Sequence, residues 1–313
     1  MVIKDKRIFL LGPTATGKTK LIKYLNDIFP IDIISVDSAQ IYKFMDIGSA
    51  KPNKEELIDT PHHLIDIRNP IESYSVGDFK KDVDLITNKS FEIEKVPALC
   101  GGTMMYFNAI ERPLDNLPIS TPETKKTVND ELNKFGIKYL FKKLKSIDPV
   151  SAGKINCNDS QRIQRALEVY YISEIPLSTF YMNQIKPEVP YKILKIALFP
   201  SKREQLHNVI EERAGAMLKN GLVEEVQSIL RLYPTLDESY PSLRAVGYRQ
   251  VYHYLNNKIS KGELKDKIIF ATRQLAKRQI TWMRKMENLE IFEPYSHNLN
   301  LKVKSRVEEF LLN

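Results

Sequence analysis

The chain has only two cysteines among its 313 residues, Cys100 and Cys157, far apart and in no C-x-x-C pair. A disulfide framework and a zinc module are therefore excluded as its organising chemistry. Cys100 ends an apolar run and is expected as a buried thiol. No apolar run reaches bilayer-spanning length, and Met1 to Lys6 lacks the apolar stretch and cleavage site of a secretory signal. A cytoplasmic protein without membrane contact is expected. Internal repeats and low-complexity segments are also missing. What remains, 42% hydrophobic and 27% charged residues, is globular material sufficient for one large core plus a smaller appended or inserted unit.

The most informative stretch lies near the start: Gly12-Pro13-Thr14-Ala15-Thr16-Gly17-Lys18-Thr19, an intact G-x-x-x-x-G-K-[ST]. Arg7 to Leu11 before it reads as a buried strand, and Lys20 to Asp27 after it as a helix with Leu21, Ile22 and Leu25 on one side. In that context the glycines let backbone N–H groups converge on phosphate oxygens at a helix N-terminus. Lys18 adds positive charge, and the Thr19 hydroxyl is placed to hold Mg²⁺. A ligand with two or more linked phosphates is expected.

Alternating strands and helices follow, which predicts an α/β fold: a P-loop NTPase-like, mostly parallel sheet flanked by helices. Asp32 to Val36 is a β-branched run that delivers Asp37 to the strand's C-terminal end, where open α/β sheets bind ligands. The carboxylate there could cap a helix from Ala39 onward or accept a proton from an acceptor substrate. Gly48 to Pro52 reads as a loop and Pro61 to Ile67 as a third short strand. His62 and His63 within it point to opposite faces, which argues against a shared metal. A helix is expected from Ser75 to about Glu92, then a buried strand, Val96 to Cys100, running into Gly101-Gly102-Thr103. The absence of an Asp at the end of this strand counts against an ATPase. Thr103 offers a hydroxyl at the same sheet edge, unless the stretch is a plain strand-to-helix turn.

Pro113, Pro118 and Pro122 punctuate a linker, after which two helices, Glu123 to Ile147 and Ser160 to Ser173, interrupt the alternation. The second buries Ile163, Leu167 and Tyr170 and turns Gln161, Arg162, Gln164 and Arg165 outward. The strand pattern resumes at Ile193 to Phe199. The chain is thus divided at 1–112, 113–192 and 193–313, with the middle part an inserted all-helical domain. Its lysines, amides and guanidinium groups suit an RNA-backbone surface, although a solvated helix face has the same composition.

Ser201 to Glu204 reads as a capping box opening a long helix whose apolar stripe is Leu206, Val209, Ile210 and Met217. Arg213 falls on that stripe, and an inward guanidinium needs an anion, either a carboxylate or the phosphate group at the loop. Pro241 to Gln250 is a turn into a helix. Between Lys258 and Glu287 nine basic residues face three acidic ones, a net of +6 out of +8 for the chain. The basic helix expected over Lys265 to Met286 places Arg273, Lys277, Ile280 and Arg284 on one face, with Trp282 as a stacking platform. Such a patch suits a polyanion or is a solvated helix face. Leu289 to Phe292 reads as an edge strand and Val303 to Leu312 as a terminal helix.

Taken in order, GPTATGKT, VDSAQIYKFMDIGSAKP, PHHLIDI, GGTMMYF, DSQRIQRALEVY, RAVGYRQ and TRQLAKRQITWMRK closely resemble the bacterial tRNA dimethylallyltransferases, or tRNA isopentenyltransferases, over nearly the whole chain. The resemblance implies transfer of a dimethylallyl group from dimethylallyl diphosphate to the exocyclic amine of an adenine adjacent to the anticodon. It implies Asp37 as the base, Thr103 as an acceptor contact, and Thr14, Lys18, Thr19 and Arg213 around the diphosphate and Mg²⁺. The implied tRNA surface is Asp37, Ser38, Ala39, Gln40, Thr103, Lys125, Gln161, Arg162, Ile163, Gln164, Arg165, Arg244, Gly247, Tyr248, Arg249, Arg273, Lys277, Arg278 and Arg284, and the implied partner is the anticodon stem-loop of tRNA. Ser49 stands where the family usually shows threonine, and Lys125 where arginine is common. The zinc finger of eukaryotic members is absent. A monomer is expected. The rivals from the residues alone are a P-loop small-molecule or nucleoside kinase, a prenyltransferase acting on free adenine nucleotides, and a nucleotide-gated RNA-binding protein.

Overall fold

The structure is a computed structural model that describes residues 5–111, 117–182 and 191–313. Pro113, Arg112 and Met1 to Lys4, which figure in the expected linker, boundary and N-terminus, lie outside the described residues. Two compact units are present, Met1–Glu111 with Val189–Asn313, and Arg112–Glu188.

In the first unit β1 (Lys6–Leu11) leads through the glycine-bearing loop to α1 (Lys18–Asn26), then β2 (Ile31–Val36), α2 (Lys54–Asp59), β3 (His62–His63), α3 (Val76–Glu92), β4 (Val96–Gly101) and α4 (Met104–Glu111). The second unit is helical: α5 (Pro122–Ile147), α6 (Pro149–Lys154), α7 (Ser160–Ser173) and α8 (Leu177–Met182). The first unit resumes with β5 (Lys192–Leu198), α9 (Arg203–Lys219), α10 (Leu222–Leu232), a 3₁₀ turn at Ser242–Arg244, α11 (Tyr248–Leu255), α12 (Lys261–Met283), β6 (Leu289–Phe292) and α13 (Leu299–Leu312).

The sheet order is β3-β2-β4-β1-β5-β6, and every pairing is parallel. Parallel strands are buried on both faces. Phe9, Leu11, Ile34, Val36 and Leu99 belong to one core under α3, α4, α9 and α12, and Ile8, Leu10, Ile33 and Ala98 to another under α1 and α13. Because β1, β2 and β4 run parallel, their C-terminal ends bring the loop at Gly12, the turn at Asp37 and the loop at Gly101 to one edge.

Local chemistry sets several boundaries. Ser75 and Asp78 form a capping box at α3, and Ser260 and Glu263 form another that starts α12 earlier than its apolar pattern suggests. The box expected at Ser201 is not formed. Lys202, whose side chain has no acceptor, is the N-cap of α9, and the Ser201 N–H donates to Glu293 Oε2 at 2.8 Å instead of to Glu204. The third strand is only His62 and His63, since Leu64 and Asp66 take left-handed backbone angles that leave the ladder. Gly136, with φ 78° and ψ 170°, kinks α5. In the second unit Val128, Leu140, Leu144, Ile163, Ala166, Leu167 and Val169 make a separate core.

Candidate active site

The loop after β1 is shaped by its own bonds. Gly17 adopts φ 78° as the N-cap of α1, which aims the first helical N–H groups into the loop. The Thr16 hydroxyl donates to the Pro13 carbonyl at 2.8 Å. Lys18 lies across the loop, its Nζ donating to the carbonyls of Gly12 at 2.9 Å and Pro13 at 2.8 Å. Burial lowers the Lys18 ammonium to about 8, with Arg213 acting in the same direction and Cys100 and Asp37 opposing. The neighbouring Cys100 thiol is pushed up to about 12 by burial, so it stays protonated at neutral pH and is no nucleophile. The Thr19 side chain is exposed at the start of α1.

Across the sheet edge, Asp37 Oδ1 accepts from the N–H groups of Ala39 at 2.8 Å and Gln40 at 3.3 Å. Capping therefore occurs, but of a turn, since no helix follows Ala39. Oδ2 accepts no hydrogen bond from the described residues. Thr103 Oγ1 accepts the Ser38 N–H at 3.0 Å, so the Thr103 hydroxyl stands beside the Asp37 turn. The end of β4 leaves no room for an acidic side chain. A Cβ on Gly101 would lie 2.1 Å from the Val36 carbonyl oxygen, so the missing magnesium-binding Asp follows from a close backbone approach.

Arg213, on α9, has no hydrogen bond or ion pair with the described residues. Its guanidinium is held below its ordinary range by burial, and the charge of Asp37 opposes that shift. A partly buried cation with no direct partner among the described residues, beside Lys18 and Asp37 at a phosphate-type loop, is a feature that a polyanionic ligand would complete.

Two expected contact residues are core residues. Ile163 has no exposed surface, as its place on the apolar stripe of α7 requires. Tyr248 is also fully buried and donates to Glu225 Oε1 at 2.7 Å, while Glu225 in turn accepts from the N–H groups of Asp46, Ile47 and Gly48. The Gln40 side chain is turned inward as well, accepting from Ser35 at 3.1 Å and donating to the carbonyls of Ser49 and Ala50. Arg165 bonds Pro118 and Ser120 within the second unit, and Arg273 reaches Glu211 at 3.4 Å. Lys125, Gln161, Arg162, Arg244, Arg249, Lys277, Arg278 and Arg284 are exposed. Gly247 takes φ 94° ahead of α11. His62 and His63 bond separately, to the Thr60 carbonyl and to Asp32, and no group of three metal-type side chains occurs among the described residues.

Between α11 and α12 lies a cleft of about 420 Å³ lined by Arg244, Arg249, Lys267 and Arg278 together with Phe270, which is 64% exposed. Cationic groups around an exposed ring suit nucleic acid. Sequence reasoning passed over Phe270, and also Gln279, a polar residue on the buried face of α12 between Ala276 and Met283. The signal that marked Arg213, a polar side chain on an apolar stripe, marks Gln279 too.

The sequence profile of the IPP transferase family matches residues 40–286. A protein of Nitrosomonas eutropha named tRNA dimethylallyltransferase is 44% identical over 292 residues, 93% of this chain and 92% of its own length. One of the same name from Legionella pneumophila is 43% identical over 311 residues, 99% of this chain and 98% of its own. The crystal structure of the full-length tRNA isopentenylpyrophosphate transferase from Bacillus halodurans is 32% identical, with a TM-score of 0.70 over 99% of this chain and 96% of that one. The phosphate-type loop, the acidic turn and the basic helix thus occur in a chain that belongs to the IPP transferase family.

Proposed function

We propose that this chain transfers a dimethylallyl group from dimethylallyl diphosphate to the exocyclic amine of an adenine adjacent to the anticodon in tRNA. The observation that carries the reading is the shared sheet edge. Asp37, with one carboxylate oxygen that accepts no hydrogen bond from the described residues, stands there with a phosphate-type loop and with Arg213, which has no direct partner among those residues. The names and near-complete coverage of the relatives support it.

In the step, the amine nitrogen forms a bond to C1 of the dimethylallyl group as the bond from C1 to the diphosphate oxygen breaks. The amine is a weak nucleophile because its lone pair is delocalised into the ring, so a base that takes its proton as the bond forms lowers the barrier. Asp37 Oδ2 has that role, while Oδ1 stays bound to the turn. Thr103 contacts the acceptor. The electron pair of the broken bond leaves on diphosphate, where the loop from Gly12 to Thr19, Lys18 and Arg213 stabilise the developing charge. Lys18 exchanges its two loop carbonyls for phosphate oxygens.

The residues fit Mg²⁺: the exposed Thr19 hydroxyl stands at the start of α1, and such an ion takes few protein ligands beside substrate phosphates. Thr19 and diphosphate oxygens would hold it, and it would supply charge neutralisation to the leaving group. The RNA contacts are proposed on Ser38, Ala39, Lys125, Gln161, Arg162, Gln164, Arg244, Arg249, Lys277, Arg278 and Arg284, with the target base flipped out of the stem-loop.

The test supplies Mg²⁺ and isotopically labelled dimethylallyl diphosphate with unmodified tRNA, or with AMP or adenosine. Label on tRNA alone is the expected result. Label on the mononucleotide would reassign the acceptor, and no label with phosphate moving from ATP to a small acceptor would mean a kinase.

A further inference from the structure

Gln279 projects from the buried face of α12 into the space between two loops and is only 8% exposed. Its Oε1 accepts the Thr14 N–H at 2.9 Å, in the loop after β1. Its Nε2 donates to the Gly102 carbonyl at 2.8 Å, in the loop after β4. The donor and acceptor requirements of those two backbone groups leave one orientation for the amide. Gly102 is shaped to match, because a Cβ there would lie 2.4 Å from Gln279 Nε2. On its other side the same loop is held by β2, since the N–H groups of Gly102 and Thr103 both donate to the Val36 carbonyl, at 3.2 and 3.1 Å. One side chain therefore spans from the loop built for the leaving group to the loop that carries Thr103.

We infer that Gln279 is the positioning residue that sets the separation between the diphosphate loop and the acceptor loop. This rests on the transferase reading above. Bond formation needs the amine and C1 within near-attack distance, and a displacement of about 1 Å costs about 100-fold in rate. No other common side chain of this size meets both loops. A glutamate would aim an oxygen at the Gly102 carbonyl, and a methionine would leave the Thr14 N–H and the Gly102 carbonyl buried without partners. Because Lys277 and Arg278 precede Gln279 on α12, the helix that offers cationic groups to RNA is the one that ties the two loops together.

The experiment measures dimethylallyl transfer by the full chain and its Gln279→Glu, Gln279→Met and Gly102→Ala variants, separating kcat from the KM of tRNA. Amide hydrogen exchange at Thr14 is followed in parallel. The expected result is a fall in kcat of about 30- to 100-fold in each variant, with KM for tRNA within about threefold of the parent. Thr14 exchange should accelerate in Gln279→Met. The Gln279→Met, Gly102→Ala double variant should lose little beyond either single one, because one link is broken once. A kcat within about twofold of the parent in Gln279→Met and Gln279→Glu overturns the proposal, as does a loss confined to the KM of tRNA. A parent protein without transfer activity would defeat the transferase reading instead, and unchanged Thr14 exchange in Gln279→Met would then overturn the link itself.

Discussion

The Ser38 N–H donates to the Thr103 hydroxyl oxygen at 3.0 Å, which joins the turn after β2 to the loop after β4. That bond fixes the turn that carries Asp37, whose Oδ1 is occupied by Ala39 and Gln40. Asp37→Asn keeps a capping oxygen and loses the base, so kcat should fall by about 10²- to 10⁴-fold. Asp37→Ala should abolish turnover. In both, tRNA affinity should stay near the parent's. Single-turnover label transfer beside filter binding checks this, and an unchanged rate removes Asp37 from the base role.

Arg213 is a partly buried cation without a direct partner among the described residues. Replacing it by methionine removes a charge that burial penalises and only Asp37, with no direct bond to it, offsets, while keeping apolar contact with the stripe. Arg213→Met should therefore raise the melting temperature of the free protein, by roughly 2 °C for a gain of about 1 kcal/mol in a chain of this size. The same change should weaken binding of magnesium diphosphate by at least about tenfold. Thermal melts and titration calorimetry read the two opposite effects. A lower melting temperature would show that the guanidinium is already paired.

Lys18 gives a pH signature. Burial holds its ammonium down to about 8, below the ordinary lysine value of 10.5. Between those values the unfolded chain binds more protons than the folded one, so the stability of the free protein should rise as pH goes from about 8 to 10.5. The diphosphate proposed for this loop needs the charged form, so the Lys18 contribution to its affinity should decline as pH passes 8. Calorimetry of diphosphate binding from pH 7 to 10, with Lys18→Met as the control that cancels the ligand's own titration, measures it. Equal pH slopes in the two proteins would contradict the assignment.

Lys277 and Arg278 are exposed on α12, and Arg278 also lines the cleft with Phe270. Replacing either with alanine should weaken tRNA binding across different tRNAs and reduce the salt slope of the logarithm of affinity by about 1, with little change in kcat at saturating tRNA. Binding isotherms at several salt concentrations decide it. A preserved slope would place the RNA elsewhere.

The limits of sequence reading are visible in particular residues. The period of α7 puts Ile163 on the buried stripe, whereas the family resemblance implies it as part of the RNA surface. The helix pattern prevailed because Ile163 packs in a helical core. At Ser201 the S-x-x-E spacing was present, yet Glu293, distant in sequence, takes the Ser201 N–H. Gln40 and Tyr248 were expected to face RNA, but their polar atoms are used internally by Ser49, Ala50 and Glu225.

The sequence alone determined the phosphate-type loop, the strands that carry Asp37 and Gly101 to one edge, and the concentration of positive charge on α12. Each follows from spacing within a few residues, where backbone geometry and periodicity act directly. Only the tertiary structure decided the strand order, the lack of a direct partner for Arg213 among the described residues, and the grip of Gln279 on two loops. Those depend on which groups far apart in the chain compete for the same N–H, carbonyl or anion, and folding settles that competition by burying every donor and acceptor it can pair.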